Sequence, residues 1–176
     1  MYQLLGFDLT ILFAAFSTIL LIGFLGVFDD LIGWKKGIRK YQHALIPVFA
    51  ALPLMAVKAG VTTMALPVVG NVDFGILYPL ILIPLGVTGA ANATNMLAGL
   101  NGLEAGLGAI LTGTLLVLSI LEGQTEAAII MAAMLGVLLA FLGFNWFPAK
   151  IFPGDATTMM VGTSIGVVAV IGNMER

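Results

Sequence analysis

The chain has 176 residues, of which 60% are hydrophobic and 9% charged, and its mean hydropathy is +1.12. Soluble domains carry about 25% charged residues, so this chain lacks the polar surface that a globule in water needs. The net charge of −2 is too small to indicate a nucleic-acid partner, and the absence of cysteine excludes disulfides and thiolate metal sites. The composition therefore predicts an integral membrane protein.

Apolar runs without charged residues predict an all-α polytopic membrane protein with about six transmembrane helices. About 20 apolar residues are needed to cross the hydrocarbon core. The predicted spans are residues 9–28, 41–58, 74–92, 103–121, 127–146 and 157–172. The β-branched stretch near 60–73 predicts a short extracytoplasmic loop or hairpin. We interpret residues 1–176 as a single transmembrane domain.

The distribution of basic residues predicts the orientation. Five of them fall in the loops after the first and fifth spans: Lys35, Lys36, Arg39, Lys40 and Lys150. Only Lys58 and Arg176 fall on the opposite side if the spans alternate. Because Lys and Arg concentrate in cytoplasmic loops, the first side is predicted to be cytoplasmic. The cluster after the first span can also attract an anionic lipid or phosphate.

The first span ends at an acidic pair, Asp29 and Asp30. Cations rather than anions are favoured at a helix C-terminus, so two adjacent carboxylates there need a local partner. A divalent cation or the basic cluster that follows could provide it. The alternative is that a membrane helix simply ends here and meets water.

An amide-rich segment follows the third span. Asn92 and Asn95 are three residues apart and share a helix face, and Asn101 and Glu104 repeat that spacing. For Asn92 the alternative is a hydrogen bond between helices. For Asn101 it is a helix N-cap, with Glu104 completing a capping box. Such a helix start would also present free N–H groups to phosphate oxygens.

A third polar segment ends at Asp155, directly after Pro153 and Gly154. A tight turn there could aim the carboxylate and start the sixth helix, and the alternative is a plain N-cap. Two glycine pairs with GxxxG spacing predict close helix packing: Gly102 with Gly106, and Gly162 with Gly166.

The three polar segments fall on the predicted cytoplasmic side, and their side chains are oxygen donors. Oxygen ligands without cysteine favour a hard cation, Mg²⁺ or alternatively Mn²⁺. A hard cation at a membrane surface, together with helix starts and a basic loop, indicates phosphoryl chemistry on a lipid-anchored substrate.

These segments resemble three cytoplasmic motifs of the polyprenyl-phosphate N-acetylhexosamine-1-phosphate transferases, glycosyltransferase family 4. The segments are Gly26-Val-Phe-Asp-Asp30, Asn92-Ala-Thr-Asn-Met-Leu-Ala-Gly-Leu-Asn-Gly-Leu-Glu-Ala-Gly106 and Phe144-Asn-Trp-Phe-Pro-Ala-Lys-Ile-Phe-Pro-Gly-Asp155. Ala98-Gly99 replaces the Asp-Gly that is typical of the bacterial peptidoglycan enzyme. In this the chain is similar to the eukaryotic and archaeal branch, which transfers N-acetylglucosamine-1-phosphate from UDP-GlcNAc to dolichyl phosphate.

The resemblance implies a role for each matched residue. Asn95 and Asp155 would bind Mg²⁺, and Asp29 and Asp30 would be catalytic residues at the lipid phosphate. The other substrate-binding positions implied are Asn92, Asn101, Glu104, Lys40 and His43, with Asn101 near the uridine. His43 occupies the place of a lysine that contacts the lipid phosphate in the family, and Lys40 is its nearest substitute. The implied reaction releases UMP and begins lipid-linked oligosaccharide synthesis for N-glycosylation or envelope glycans.

The resemblance also sets expectations for the whole protein. Members have about ten spanning helices, so we expect this chain to be a central fragment that is inactive by itself. The implied partners are a UDP-sugar, a polyprenyl or dolichyl phosphate and the lipid bilayer, and a homodimer is compatible with them. The implied location is the cell membrane of a prokaryote or the endoplasmic reticulum of a eukaryote. The alternatives are a divalent-cation or other ion transporter and a non-catalytic membrane subunit.

Overall fold

The computed structural model describes residues 8–33, 45, 47–66, 68–97 and 99–174, which form a helical bundle with one small hairpin. Its helices are α1 (Leu9–Gly33), α2 (Pro47–Ala50), α3 (Leu52–Ala56), α4 (Ile83–Met96), α5 (Leu103–Leu121), α6 (Thr125–Asn145) and α7 (Asp155–Ile171). A π-helical turn, Tyr78–Leu82, runs directly into α4. The predicted helical class is therefore confirmed.

Three of these helices are long and apolar enough to cross a membrane: Leu9–Leu31, Leu103–Leu121 and Thr125–Asn145. Helix α7 is also apolar but has 17 residues. The helical run from Tyr78 to Met96 covers most of the third predicted span. The second predicted span begins outside the described residues, and its described part forms the short helices α2 and α3. The total of six spans is not confirmed and stays a prediction.

Prolines shape the helices between α1 and α5. Pro47 is the first residue of α2, and Pro53, Pro79 and Pro84 lie at the first or second positions of their helical segments. The first turn of a helix leaves its N–H groups unpaired, so a residue without an N–H is tolerated there. The prolines thus divide these runs into short segments and leave the later helices uninterrupted.

The hairpin predicted near 60–73 is present. Strand β1 (Thr63–Leu66) pairs antiparallel with β2 (Gly70–Asp73), with Thr63 opposite Asp73 and Leu66 opposite Gly70. Gly70 has φ +82°, a conformation that a residue without a Cβ adopts readily.

Helix α7 packs against α1, α4, α5 and α6. Because lipid is as apolar as a side chain, association of membrane helices depends on close van der Waals contact, which small residues permit. A Cβ on Gly162 would meet the Ala90 carbonyl oxygen and lie 2.5 Å from Thr94 Oγ1 of α4. Gly166 faces the same helix, and a Cβ on Gly166 would lie 3.2 Å from Ala90 Cβ. The predicted packing role of this glycine pair is confirmed.

The other predicted glycine pair behaves differently. Gly102 has φ +70° and precedes α5, and no atom of the described residues lies within 4 Å of a Cβ built on Gly106. The close contact of α5 is made instead by Gly108, where a Cβ would lie 3.1 Å from Leu138 of α6 and from Val161 of α7. The packing prediction was wrong for Gly106, because the helix turns that position away from its neighbours.

We expect Gly162→Ala to destabilise the bundle by about 1–3 kcal/mol, since the added methyl group has to displace the α4 backbone. Gly106→Ala is the matched control, and the higher helix propensity of alanine should leave it neutral or up to about 1 kcal/mol more stable. Thermal unfolding followed by size-exclusion chromatography in detergent measures both. Equal unfolding midpoints for the two variants would contradict the packing of α7 on α4.

Candidate active site

The three predicted polar segments meet at one end of the bundle. Asp29 and Asp30 lie near the end of α1, Asn95 lies in the last turn of α4, and Asp155 begins α7. The opposite end is marked by the backbone N–H of Asp8, before α1, which donates to the Glu126 carboxylate in the first turn of α6. The tertiary fold thus gathers groups that are far apart in the chain.

Asp30 caps the start of α7. Its Oδ1 accepts a hydrogen bond from the Asp155 N–H at 3.0 Å, and its Oδ2 accepts one from the Ala156 N–H at 3.2 Å. The first N–H groups of a helix have no partner within the helix, and a carboxylate there also interacts favourably with the helix dipole. Asp30, the second residue of the acidic pair, therefore has a partner that the sequence did not reveal: the backbone N–H groups at the start of α7.

Two glycines make this cap sterically possible. A Cβ on Gly26 would lie 2.6 Å from the Ala156 backbone nitrogen, so α1 approaches the first turn of α7 closely only without a side chain there. A Cβ on Gly154 would lie 2.5 Å from Asp30 Oδ2. Both glycines therefore leave room for the Asp30 carboxylate to reach the N–H groups of α7.

Asp155 is the first residue of α7, and the N-cap position is occupied by Gly154, which has no side chain to cap the helix. The alternative interpretation of Asp155 as a plain N-cap was therefore wrong, because the cap comes from Asp30 on another helix. The carboxylates of Asp155 and Glu104 are close enough to repel each other when both are charged.

Asn95 is linked to the same turn of α7. The Thr158 hydroxyl donates to Asn95 Oδ1 at 2.7 Å and lies 3.1 Å from the Asp155 carbonyl oxygen. Asn92 instead donates from Nδ2 to the Thr88 carbonyl oxygen one turn earlier in α4, at 2.9 Å. The alternative that Asn92 bonds between helices was wrong, and Asn95 is the residue of this segment that joins α4 to α7.

Asn101 and Glu104 do not form the capping box considered above. Helix α5 begins at Leu103 after Gly102, without a side-chain cap, so Asn101 lies in the preceding loop, where it is exposed. Glu104 is 5% exposed and lines a small cavity with Thr94, Thr157 and Thr158. Neither of its carboxylate oxygens makes a hydrogen bond of good geometry among the described residues, although the Gly99 N–H acts on it electrostatically.

Asn145, the last residue of α6, connects the two loops that border the site. Its Oδ1 accepts from the Gly102 N–H at 3.0 Å, and its Nδ2 donates to the Ile151 carbonyl oxygen at 2.8 Å. The side chain is completely buried. Both ends of the amide thus bind backbone groups of the two loops, and the Lys150 N–H also donates to the Phe144 carbonyl oxygen of α6 at 2.9 Å.

Sequence reasoning missed four contributors to this geometry: Gly26, Asn145, Gly154 and Thr158. An available signal was the glycine four residues before Asp30, which lies on the same helix face. Another was a carboxamide at the end of the long apolar run of α6. Thr158 gave no signal, because threonine is common on buried helix faces in membranes.

Two predicted residues, Lys40 and His43, lie outside the described residues. Asp29 is half-buried beside Asp30, and Lys150 is exposed in the loop between α6 and α7. Lys150 and Lys58 are the basic residues of the described part of the chain, and Lys150 lies at the end that carries the site.

A hard cation fits the chemistry of this donor set. Asn95 offers an amide oxygen on α4, and Asp155 offers a carboxylate on the adjacent first turn of α7. Among the described residues, the Glu104 carboxylate makes no hydrogen bond of good geometry. No three His, Cys, Asp or Glu side chains cluster to hold a metal within the residues that the structure describes. A bound metal and its identity therefore stay a prediction; Mg²⁺ typically takes one or two carboxylates and completes its shell with water and phosphate oxygens.

Comparison with protein families now identifies the chain, since residues 12–173 match the model described as glycosyl transferase family 4. The chain belongs to this family. The predicted family is thereby confirmed, together with the polytopic membrane architecture and the membership of a transferase class.

Relatives of this glycosyl transferase family 4 chain come from archaea and bacteria. It is 41% identical over 157 residues to a proposed UDP-N-acetylglucosamine–dolichyl-phosphate N-acetylglucosaminephosphotransferase of Sulfolobus acidocaldarius, covering 88% of this chain and 47% of the relative. A protein with the same description from Saccharolobus solfataricus is 40% identical, over 88% and 48% of the two chains. A phospho-N-acetylmuramoyl-pentapeptide-transferase of Limosilactobacillus fermentum is 35% identical, over 92% and 51%. The chain thus spans about half the length of these relatives.

Proposed function

We propose that this chain carries the metal-binding half of an enzyme that transfers N-acetylglucosamine-1-phosphate from UDP-GlcNAc to a polyprenyl phosphate such as dolichyl phosphate. The archaeal relatives are described by that activity, and they share a higher identity with the chain than the muramoyl-pentapeptide transferase does. Ala98-Gly99, where the bacterial peptidoglycan enzyme typically has Asp-Gly, supports the same choice of branch.

The observation that carries the proposal is the connection of three segments at the start of α7. Asp30 binds the first N–H groups of that helix, and the Thr158 hydroxyl joins Asn95 to the Asp155 turn. A site at the end of apolar helices gives a membrane-embedded phosphate and a water-soluble nucleotide access to the same point. That arrangement suits phosphoryl transfer between a lipid and a sugar nucleotide.

The chemistry needs little beyond positioning and charge neutralisation. An oxygen of the lipid phosphate attacks the sugar-linked phosphorus, a new P–O bond forms, and the bond to the bridging oxygen breaks so that UMP leaves. The second pKa of a phosphate monoester is near 6, so the attacking group is already mostly deprotonated at neutral pH. Catalysis of phosphoryl transfer depends mainly on alignment and electrostatic stabilisation, which fixed side chains supply.

The residues then take complementary roles. Asn95 and Asp155 would hold Mg²⁺, or Mn²⁺, which supplies charge neutralisation for the diphosphate when bound. Asp29, Lys40 and His43 would lie at the lipid phosphate and position it. The other substrate-binding residues proposed are Asn92, Asn101 and Glu104. The site would face the cytoplasm, because Lys35 and its basic neighbours belong to the same side.

The test is a chimera in which this chain replaces the segment it matches in the Sulfolobus acidocaldarius relative. We expect Mg²⁺-dependent release of UMP from UDP-GlcNAc and dolichyl phosphate, lost on addition of EDTA. The unmodified relative in the same membranes gives the reference rate. UMP release from UDP-N-acetylmuramoyl-pentapeptide instead of UDP-GlcNAc would show that the proposed sugar is wrong.

A further inference from the structure

Asn145 holds together two loops that no secondary structure connects. The first loop, 97–102, carries Asn101, and the second, 146–154, leads to Asp155. The bond from the Gly102 N–H fixes the end of the first loop, and the bond to the Ile151 carbonyl oxygen fixes the middle of the second. One side chain therefore bonds to both loops.

The environment of Asn145 makes this connection rigid. The amide is completely buried, and a buried hydrogen bond is costly to leave unmade because water cannot replace the lost partner. The Trp146 ring and Leu142 lie 3.4 and 3.6 Å from the position of a Cβ on Gly102, so the first loop also packs against the end of α6. Separation of the loops therefore requires that bonds to Asn145 break and that this packing is lost; the Lys150 N–H, which donates to the Phe144 carbonyl oxygen, holds the second loop to α6 alone.

We propose that Asn145 is a positioning residue that keeps the nucleoside-binding loop and the metal-binding turn at a fixed spacing. This inference rests on the proposed function, in which Asn101 contacts the uridine and Asp155 the metal beside the diphosphate. A nucleotide sugar bridges these two points, so its affinity depends on their separation. Mg²⁺ and the uridine then strengthen each other's binding only while the two loops are held together.

The first measurement needs no ligand. The chain contains no cysteine, so spin labels can be attached only where cysteine is introduced. Leu100→Cys and Phe152→Cys place exposed labels on the two loops, 64% and 55% exposed in the native chain. We expect a narrow label-to-label distance distribution in lipid nanodiscs, and a clearly broader one after Asn145→Leu, which keeps the branched shape and the number of side-chain heavy atoms and removes both hydrogen bonds.

Two further variants separate positioning from general destabilisation. Asn145→Asp keeps the acceptor for the Gly102 N–H and loses the donor to Ile151, and it serves in place of Asn145→Leu if that variant does not fold. Thr112→Val is the control, because among the described residues the buried Thr112 hydroxyl bonds to carbonyl oxygens of its own helix alone, those of Gly108 and Ala109. The control should lower the unfolding midpoint without broadening the distance distribution.

The second measurement is the effect of Mg²⁺ on UDP-GlcNAc affinity in unlabelled chains. We expect the enhancement by Mg²⁺ to fall about 10-fold in either Asn145 variant, as is typical when a group that orients metal ligands is lost, and to persist in Thr112→Val. An unchanged distance distribution, or an unchanged enhancement in a native chain that does bind, would overturn the positioning role. Failure of the native chain to bind UDP-GlcNAc with Mg²⁺ would count against the proposed function, and the distance measurement alone would then decide whether Asn145 holds the loops.

Discussion

Asp155→Asn is expected to reduce Mg²⁺-dependent UMP release by the chimera by more than about 100-fold, with the fold intact. The substitution removes the charge that would hold the metal and neutralise the diphosphate, a contribution typically worth several kcal/mol in the transition state. It keeps the backbone N–H that donates to Asp30, so the start of α7 is unchanged. Initial rates of UMP release at saturating Mg²⁺ measure the effect.

The control for this substitution is Glu122→Gln. It also removes one carboxylate charge, but Glu122 is exposed at the opposite end of the bundle, between α5 and α6. We expect Glu122→Gln to retain the native rate, and both variants to elute as the unmodified chimera does in size-exclusion chromatography. A native rate in Asp155→Asn would exclude this carboxylate from the metal site.

Asp30→Ala is expected to lower the same rate by about 100-fold, for a different reason. Loss of a helix cap costs about 1 kcal/mol and frees the first turn of α7, and a shift of about 1 Å in a reacting group can cost about that factor in rate. Amide hydrogen exchange of residues 155 and 156 should become faster, because their N–H groups lose the Asp30 acceptors.

Asp30→Asn distinguishes capping from a direct effect of charge. Asparagine is as good an N-cap as aspartate and keeps one acceptor oxygen, so the capping role predicts a rate between those of the native and alanine proteins. If Asp30 acts through its charge at the lipid phosphate, as the family resemblance implied, Asp30→Asn should be as inactive as Asp30→Ala. Slow amide exchange at 155 and 156 in both variants would also contradict the capping role.

Local features of the chain predicted much of the fold correctly. The ends of α5 at 103 and 121 coincide with the predicted span, and the hairpin lies inside the predicted stretch 60–73. Hydropathy and β-branching act over neighbouring residues, so they are readable without a partner. The second predicted span was less successful, because Pro47 and Pro53 lie at the starts of two separate short helices, at the first and second positions respectively, in its described part.

The sequence predicted that the candidate residues lie on one side, but it did not predict their contacts. Alternating spans place Asp29, Asn95 and Asp155 on one side, whatever their contacts. The errors came from assigning polar side chains to their own helix ends: neither Asn101 nor Asp155 is the N-cap of the helix that follows it. Local spacing favours such caps, and here Gly102 and Gly154 occupy the cap positions.

The sequence by itself determined that this is a membrane protein of glycosyl transferase family 4, with its polar motifs on one side. Those properties follow from hydropathy and from short motifs of neighbouring residues. Only the tertiary structure decided that Asp30 caps a helix 125 residues away and that Asn145 bonds to a loop 43 residues earlier. Such bonds depend on how closely helices approach, which small residues such as Gly26 and Gly162 control through packing between segments distant in the chain.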